Sequence, residues 1–261
     1  MSLWKKLFRK PKKKYKLGIA LSGGGARGFA HLGILKALEE KGIRPDVISG
    51  TSAGAIAGAF IAAGKTPDEA FKVMKGYRFF DFTSIRIPKT GLFNLDGLRS
   101  SIRREIRQDN IEELPIPLFI TATNMLDGRV EYFSEGPLSE IVQASASIPI
   151  LFSPVEIGNK LYADGGVLDN LPLRPLLDCC ERTILINISP LLPIKEMKNI
   201  GQVATRMLQL SVHAREGQKK LQADFHIEPP EMDKYELLDT KHAKEIFDAG
   251  YRYTKGLEIK L

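Results

Sequence analysis

The pentapeptide Gly50-Thr51-Ser52-Ala53-Gly54 lies between a short apolar run and a longer alanine- and isoleucine-rich one. A G-x-S-x-G sequence in that setting constrains the chain strongly. Its flanking glycines, Gly50 and Gly54, allow a sharp strand-to-helix turn that leaves the serine hydroxyl exposed at the tip, where a bulkier neighbour would block it. Asp46-Val47-Ile48-Ser49 reads as a buried strand and Ala53 to Ala63 as a buried helix. Ser52 then stands at a helix N-terminus, where backbone N–H groups stabilise developing negative charge.

Upstream, Gly23-Gly24-Gly25-Ala26-Arg27-Gly28 joins a strand-like segment, Leu17 to Leu21, to a helix-like one, Phe29 to Lys41. Strand and helix patterns keep alternating after it, which predicts an α/β fold with a mainly parallel sheet. Thr66-Pro67-Asp68-Glu69 predicts a helix start with a capping box. Residues 77–94, aromatic and basic, are expected to form a flap before a helix over 95–106. Buried strands are expected over 116–122 and 183–188, a strand over 130–133 beside the first of these, and a last helix over 241–257.

Gly23-x-Gly25-x-x-Gly28 also fits the dinucleotide-binding fingerprint. That reading requires an acid at the end of the second strand, where Gly50-Thr51-Ser52 stands instead, and Asp46 lies at the wrong end. Three consecutive glycines suit a different task, aiming backbone N–H groups at one oxygen, as a tetrahedral acyl intermediate requires. Arg27 either steers an anionic headgroup or braces the loop. Ala59 to Thr66 fits a relaxed phosphate-loop pattern, but the residues before Gly64 continue a helix rather than a strand, so Gly64 reads as a helix C-cap.

Asp164-Gly165-Gly166 follows a short strand, Lys160 to Ala163, and alone would be an ordinary turn. With the serine elbow and glycine loop, and with Gln143-Ala144-Ser145-Ala146-Ser147-Ile148-Pro149 and Asp169-Asn170-Leu171-Pro172 between and after them, the chain resembles the patatin-like phospholipase family, in particular its small bacterial members. The resemblance runs from Gly18 to about Gly250. It implies a three-layer α/β fold with a central, mainly parallel sheet, and a serine/aspartate dyad rather than a triad. By that resemblance Ser52 is the nucleophile, Asp164 the base, and Gly23, Gly24, Gly25, Arg27 and Gly28 the oxyanion hole. The implied activity is hydrolysis of lipid carboxylic esters, of phospholipase A or lysophospholipase type, through an acyl-enzyme. The alternative is a catalytically silent lipid-binding or regulatory protein at a membrane surface.

The residues themselves also favour a dyad. Ser52 follows only the second strand, unlike the nucleophile of a conventional α/β-hydrolase. Of the four histidines, His31 reads as a packing or hydrogen-bonding residue, and His213 and His242 as surface residues. His226, in the strand-like Phe225 to Ile227, is the remaining candidate for a triad base. Asp169 reads as a brace of its turn. No H-E-x-x-H or Cys/His cluster occurs, so neither metal nor cofactor is expected. Cys179 and Cys180 are adjacent and form no disulfide framework, which fits a reducing compartment.

The 261 residues carry a formal charge of +7, but eight of the 38 Lys and Arg fall within residues 1–16, leaving 30 against 31 acids. The body is therefore near neutral and offers no basic groove for nucleic acid. The expected division is a basic amphipathic tail, 1–16, and one hydrolase domain, 17–261. In the tail, Leu3, Trp4, Leu7 and Phe8 share one helical face and the cations the other. Residues 1–14 are then either a solvated arm or a docking element for an anionic membrane surface. The expected location is the cytoplasm, peripheral on the inner membrane face if the tail docks. Head group, acyl length and oligomeric state leave no signature here.

Overall fold

The computed structural model describes residues 13–76, 95–191, 193, 196–197, 203, 206–207, 210, 216–237 and 240–261. The expected flap at 77–94, tail residues 1–12 and His213 lie outside the described residues. The strands are β1 (Tyr15–Leu21), β2 (Val47–Thr51), β3 (Leu118–Asn124), β4 (Arg129–Phe133), β5 (Val155–Ile157), β6 (Lys160–Asp164), β7 (Cys180–Ile186) and β8 (Phe225–Ile227). The helices named here are α1 (Phe29–Glu40), α2 (Ala53–Ala62), α3 (Pro67–Gly76), α4 (Asp96–Glu105), α5 (Leu138–Ser145), α6 (Arg174–Cys179), α7 (Glu216–Gln222) and α8 (Ala243–Lys255). The strand and helix expectations for the first 76 residues hold to within about two residues, including the Thr66–Glu69 capping box, in which Glu69 accepts from the Thr66 amide at 2.8 Å. Gly64 ends the α2 turn at φ +90°, as a C-cap glycine does.

The sheet runs in the order β5-β6-β3-β2-β1-β7-β8, with β4 paired to β3. Strands β3, β2, β1, β7 and β8 pair in parallel along that row, while the β3–β4, β3–β6 and β5–β6 pairings are antiparallel. Parallel strands covered on both faces read as continuous apolar runs, and β1 shows why. Its Ile19 and Leu21 enter the larger core, whereas Ala20 joins Val47, Leu171, Leu176 and Leu185 on the opposite face. The result is a mixed, mostly parallel sheet between helical layers.

Two topological details position the site. The chain order reverses at β1, between β2 on one side and β7 on the other, and a crevice opens outside the carboxyl ends of strands at such a point. The loop Gly23–Gly28 leaves β1 there. The second detail concerns β3. Ile120 and Thr121 pair with both β2 and β4, and Ala122 pairs with both β4 and β6. Strands β2 and β6 therefore share one edge of β3 and run toward each other along it, β2 ending at Thr51 opposite Thr121 and β6 at Asp164 opposite Ala122.

Candidate active site

The head-to-head meeting of β2 and β6 brings Ser52, the residue after Thr51, to Asp164. At the elbow Ser52 has φ 53° and ψ −120°, a left-handed conformation unusual for a residue other than glycine. The flanking glycines permit it by close approach. A β-carbon on Gly54 would stand 2.3 Å from the Leu21 carbonyl oxygen, and one on Gly50 would stand 2.6 Å from that of Gly54. The Ser52 amide, turned out of the sheet ladder, donates to Ser145 Oγ at 2.9 Å, and Ser145 Oγ donates in turn to the Thr121 carbonyl at 2.7 Å. Every residue of α2 beyond the elbow is buried, so the serine sits on a fixed base.

Asp164 is buried, and its Oδ1 accepts the Gly166 amide at 2.7 Å. The Ser52 hydroxyl faces the carboxyl closely enough to favour its charged form, yet Oδ2 completes no hydrogen bond of regular geometry. Burial raises the Asp164 pKa to about 6, against the smaller opposing pull of Ser52 and the Gly166 amide. The backbone is held as firmly as the side chain: the Asp164 amide donates to the Ser147 carbonyl at 2.8 Å, and Thr123 Oγ1 donates to the Asp164 carbonyl at 2.9 Å.

The glycine loop divides into amides in use and amides left over. Gly23 donates to the Asn170 carbonyl at 3.2 Å, Ala26 to Leu237 at 2.7 Å and Arg27 to Gly24 at 3.2 Å. The Gly24 and Gly25 amides meet no acceptor among the described residues, and Gly25 lines the cleft beside Ser52. Gly28 packs on the first turn of α2, since a β-carbon there would meet that of Ala53 at 2.8 Å. The Arg27 side chain is buried and donates from Nε to the Tyr235 carbonyl at 2.9 Å, so it braces the loop; burial lowers its pKa, with Asp233 opposing. His31 is fully buried and bonds through Nε2 to the Ser22 carbonyl at 2.8 Å, just before the loop. Burial lowers its pKa to about 4, so near neutral pH it is an uncharged donor to that carbonyl.

An apolar cleft of roughly 500 Å³, including its open mouth, rises from Ser52. Phe29 and Ile56 come from α1 and α2, Met74 and Leu98 from α3 and α4, and Ile148 and Phe152 from the segment after α5. Ser52 contributes the one polar side chain among the described lining residues. The walls are tied from behind. Phe71 of α3 meets Phe29 edge to face at 5.7 Å between ring centres and Phe247 at a tilt at 4.7 Å, and Arg103 of α4 pairs with Glu140 of α5 at 2.6 Å.

Asp169 braces its turn, as expected. Its buried carboxylate accepts from Tyr132 Oη at 2.5 Å and pairs with Lys219, while its carbonyl accepts from Thr51 Oγ1 at 3.0 Å. His226 is exposed on β8, three strands from β2 and hence about 14 Å across the sheet. No cluster of three or more His, Cys, Asp or Glu able to hold a metal occurs among the described residues. Ser145 and the Tyr235 and Leu237 carbonyls are site contacts that no sequence motif announces by itself. Ser145 left a trace, because a small polar residue beside the apolar Val142, Ala144 and Ala146 invites the question of what it bonds. The two carbonyls left none.

The sequence profile of the patatin-like phospholipases matches residues 19–177. This chain belongs to the patatin-like phospholipase family. The profile spans the glycine loop, Ser52, Ser145 and Asp164, and stops before β7, β8 and α8. An uncharacterized NTE family protein of Mycobacterium tuberculosis is 36% identical over 177 residues, covering 67% of this chain and 49% of that protein. Lysophospholipase NTE1 of Kluyveromyces lactis is 29% identical over 272 residues, covering 91% of this chain and 19% of that protein. The chain thus spans about half the length of the first of these relatives, and less of the second. Among solved structures, VipD from Legionella pneumophila superposes with a TM-score of 0.56 at 16% identity, over 94% of this chain and 66% of that one, and so shares the fold.

Proposed function

We propose that this patatin-like protein is a serine acyl hydrolase that cleaves carboxylic esters of lipids, with Ser52 as nucleophile and Asp164 as its base. The observation that carries the reading is chemical contrast. A strained serine hydroxyl is the one polar side chain among the described lining of an apolar cleft, and a buried carboxyl adjoins it. The cleft suits an acyl chain, whose burial is worth about 0.8 kcal/mol per methylene.

In the proposed reaction Ser52 Oγ attacks the ester carbonyl carbon while its proton passes to Asp164. The oxyanion is held by the Gly24 and Gly25 amides and the N-terminus of α2. Collapse expels the alcohol, which takes the proton from Asp164 and leaves an acyl-serine. Water then attacks that ester, giving its proton to Asp164, and the second collapse releases the carboxylic acid and returns the proton to Ser52. A carboxyl of pKa about 6 is mostly ionised at pH 7 and roughly a hundredfold stronger as a base than an ordinary aspartate.

The name of the yeast relative makes a lysophospholipid the first natural substrate to test. Residues 17–261 form the hydrolase domain in this reading, and the tail docks it on anionic lipid. A fluorophosphonate should label the protein at Ser52, and peptide mass analysis locates the adduct. Ser52→Ala should abolish both labelling and ester hydrolysis; substantial turnover by folded Ser52→Ala would sink the proposal. A wild-type protein that binds lysophospholipid but neither labels nor hydrolyses would be the silent lipid-binding alternative.

A further inference from the structure

One short turn of chain holds both partners of the proposed dyad. At the end of α5, Ser145 Oγ accepts the Ser52 amide at 2.9 Å, and two residues on, the Ser147 carbonyl accepts the Asp164 amide at 2.8 Å. Both serines are buried, and each is itself anchored, Ser145 to the Thr121 carbonyl at 2.7 Å and Ser147 Oγ to that of Gln143 at 2.8 Å. The alternate residues face elsewhere: Ala146 and Ile148 line the apolar cleft. Odd positions therefore grip the dyad and even positions touch the space proposed for the acyl chain.

We propose that Ser145 is the positioning residue for the nucleophile, and that the 145–148 turn couples filling of the cleft to the angle at which Ser52 meets its ester. The inference rests on the reading of Ser52 as nucleophile. Ser52 keeps its left-handed φ only while the elbow is over-determined. Its amide has left the sheet ladder, and Ser145 Oγ supplies the acceptor. Without that acceptor, the elbow gains from relaxing toward an ordinary φ, and Oγ swings away from the carbonyl and from Asp164. An acyl chain pressing on Ala146 and Ile148 loads the same turn from its other side. Occupancy should then appear in the rate of chemistry as well as in binding.

The test compares wild type, Ser145→Ala and Ser145→Cys on p-nitrophenyl acetate and octanoate, with fluorophosphonate labelling as an assay of the nucleophile alone. Cysteine keeps the shape but is a poor acceptor, so it serves if Ser145→Ala fails to fold. Wild type should show a higher kcat on octanoate than on acetate. Ser145→Ala should lose at least 30-fold in kcat and in labelling rate with KM within threefold, and its octanoate advantage should disappear; Ser145→Cys should lose at least fivefold. The rate profile should keep its apparent pKa, because Asp164 stays buried and held by Ser147. General loosening would instead admit water and lower that pKa. A kcat within threefold of wild type in both variants, or a loss confined to KM, overturns the positioning role. A fall in kcat that leaves the octanoate-to-acetate ratio intact overturns the coupling. A wild type that fails to label at Ser52 removes the nucleophile reading, an outcome visible before any variant is made.

Discussion

The Leu237 carbonyl oxygen stands 2.1 Å from the place a β-carbon on Gly25 would occupy, and the same oxygen accepts the neighbouring Ala26 amide at 2.7 Å. The glycine loop is therefore clamped by a segment more than 200 residues away in sequence, and Gly25 takes φ +56° against it. Gly25→Ala must push Leu237 back or change the loop, and a left-handed alanine costs a further 1–2 kcal/mol or so. The variant should lose roughly tenfold or more in kcat with a smaller change in KM, since the displaced amides are those proposed to hold the oxyanion only in the transition state. Steady-state kinetics on a soluble ester check this. Normal kcat with weakened binding would remove the loop from the chemistry.

The pH dependence follows from Asp164. As the proposed base it acts only when ionised, and burial sets its pKa near 6, so kcat/KM should rise as pH increases through about 6 and level off above 7. A profile flat from pH 5 to 8, or one with its midpoint near 4, would mean that Asp164 is not the titrating base.

The same burial has a consequence for stability. The folded-state pKa of Asp164 lies above its unfolded value of 3.8, so the folded chain binds the proton more tightly. Ionisation therefore costs stability, progressively as pH rises from about 4 to 6 and fully above that range. Asp164→Asn cannot ionise and its amide oxygen can still accept from Gly166. The variant should be more stable than wild type at pH 7.5, by on the order of 3 kcal/mol at most, and should match it near pH 4. Denaturant unfolding at the two pH values gives the comparison; equal stability at pH 7.5 would mean that the carboxylate is better solvated than its burial implies.

Much of the fold was legible because its signals are local. The Thr66–Glu69 box, the Gly64 cap, the elbow around Ser52 and the apolar strands β1 and β2 are each written within a few consecutive residues. The pairing of Ser52 with Asp164 could be expected only through family resemblance. Its physical cause is that β2 and β6 share one edge of β3, a relation between residues more than a hundred positions apart that no periodicity encodes. The loop clamp was illegible for a different reason. Tyr235 and Leu237 contribute backbone carbonyls, which every residue possesses. The cleft was illegible as a whole too, because Phe29, Met74, Leu98 and Ile148 read individually as ordinary core residues.

His226 lies exposed on β8, three strands from the elbow, and no step of the proposed dyad mechanism uses it. His226→Ala should retain at least half of wild-type kcat/KM on p-nitrophenyl esters. A loss as deep as that of Ser52→Ala would require a triad base and a different arrangement of the sheet edge.

The last expectation concerns residues 1–14, which precede every motif of the proposed site. Wound as a helix, their sequence would place four apolar side chains on one face, too few to hold a protein on a bilayer unaided, and seven of the eight tail cations lie within residues 1–14. Each cation near an anionic surface contributes at most about 1 kcal/mol, an attraction that weakens as the screening length falls with added salt. Deleting residues 1–14 should therefore leave hydrolysis of p-nitrophenyl acetate unchanged. On liposomes containing phosphatidylserine at low salt, the truncated protein should sediment less and hydrolyse lysophospholipid more slowly, and 0.5 M salt should bring full-length protein toward the same level, since the Debye length is then only about 4 Å. If the truncated protein sediments as well as the full-length one, docking resides elsewhere on the domain and the tail is a solvated arm.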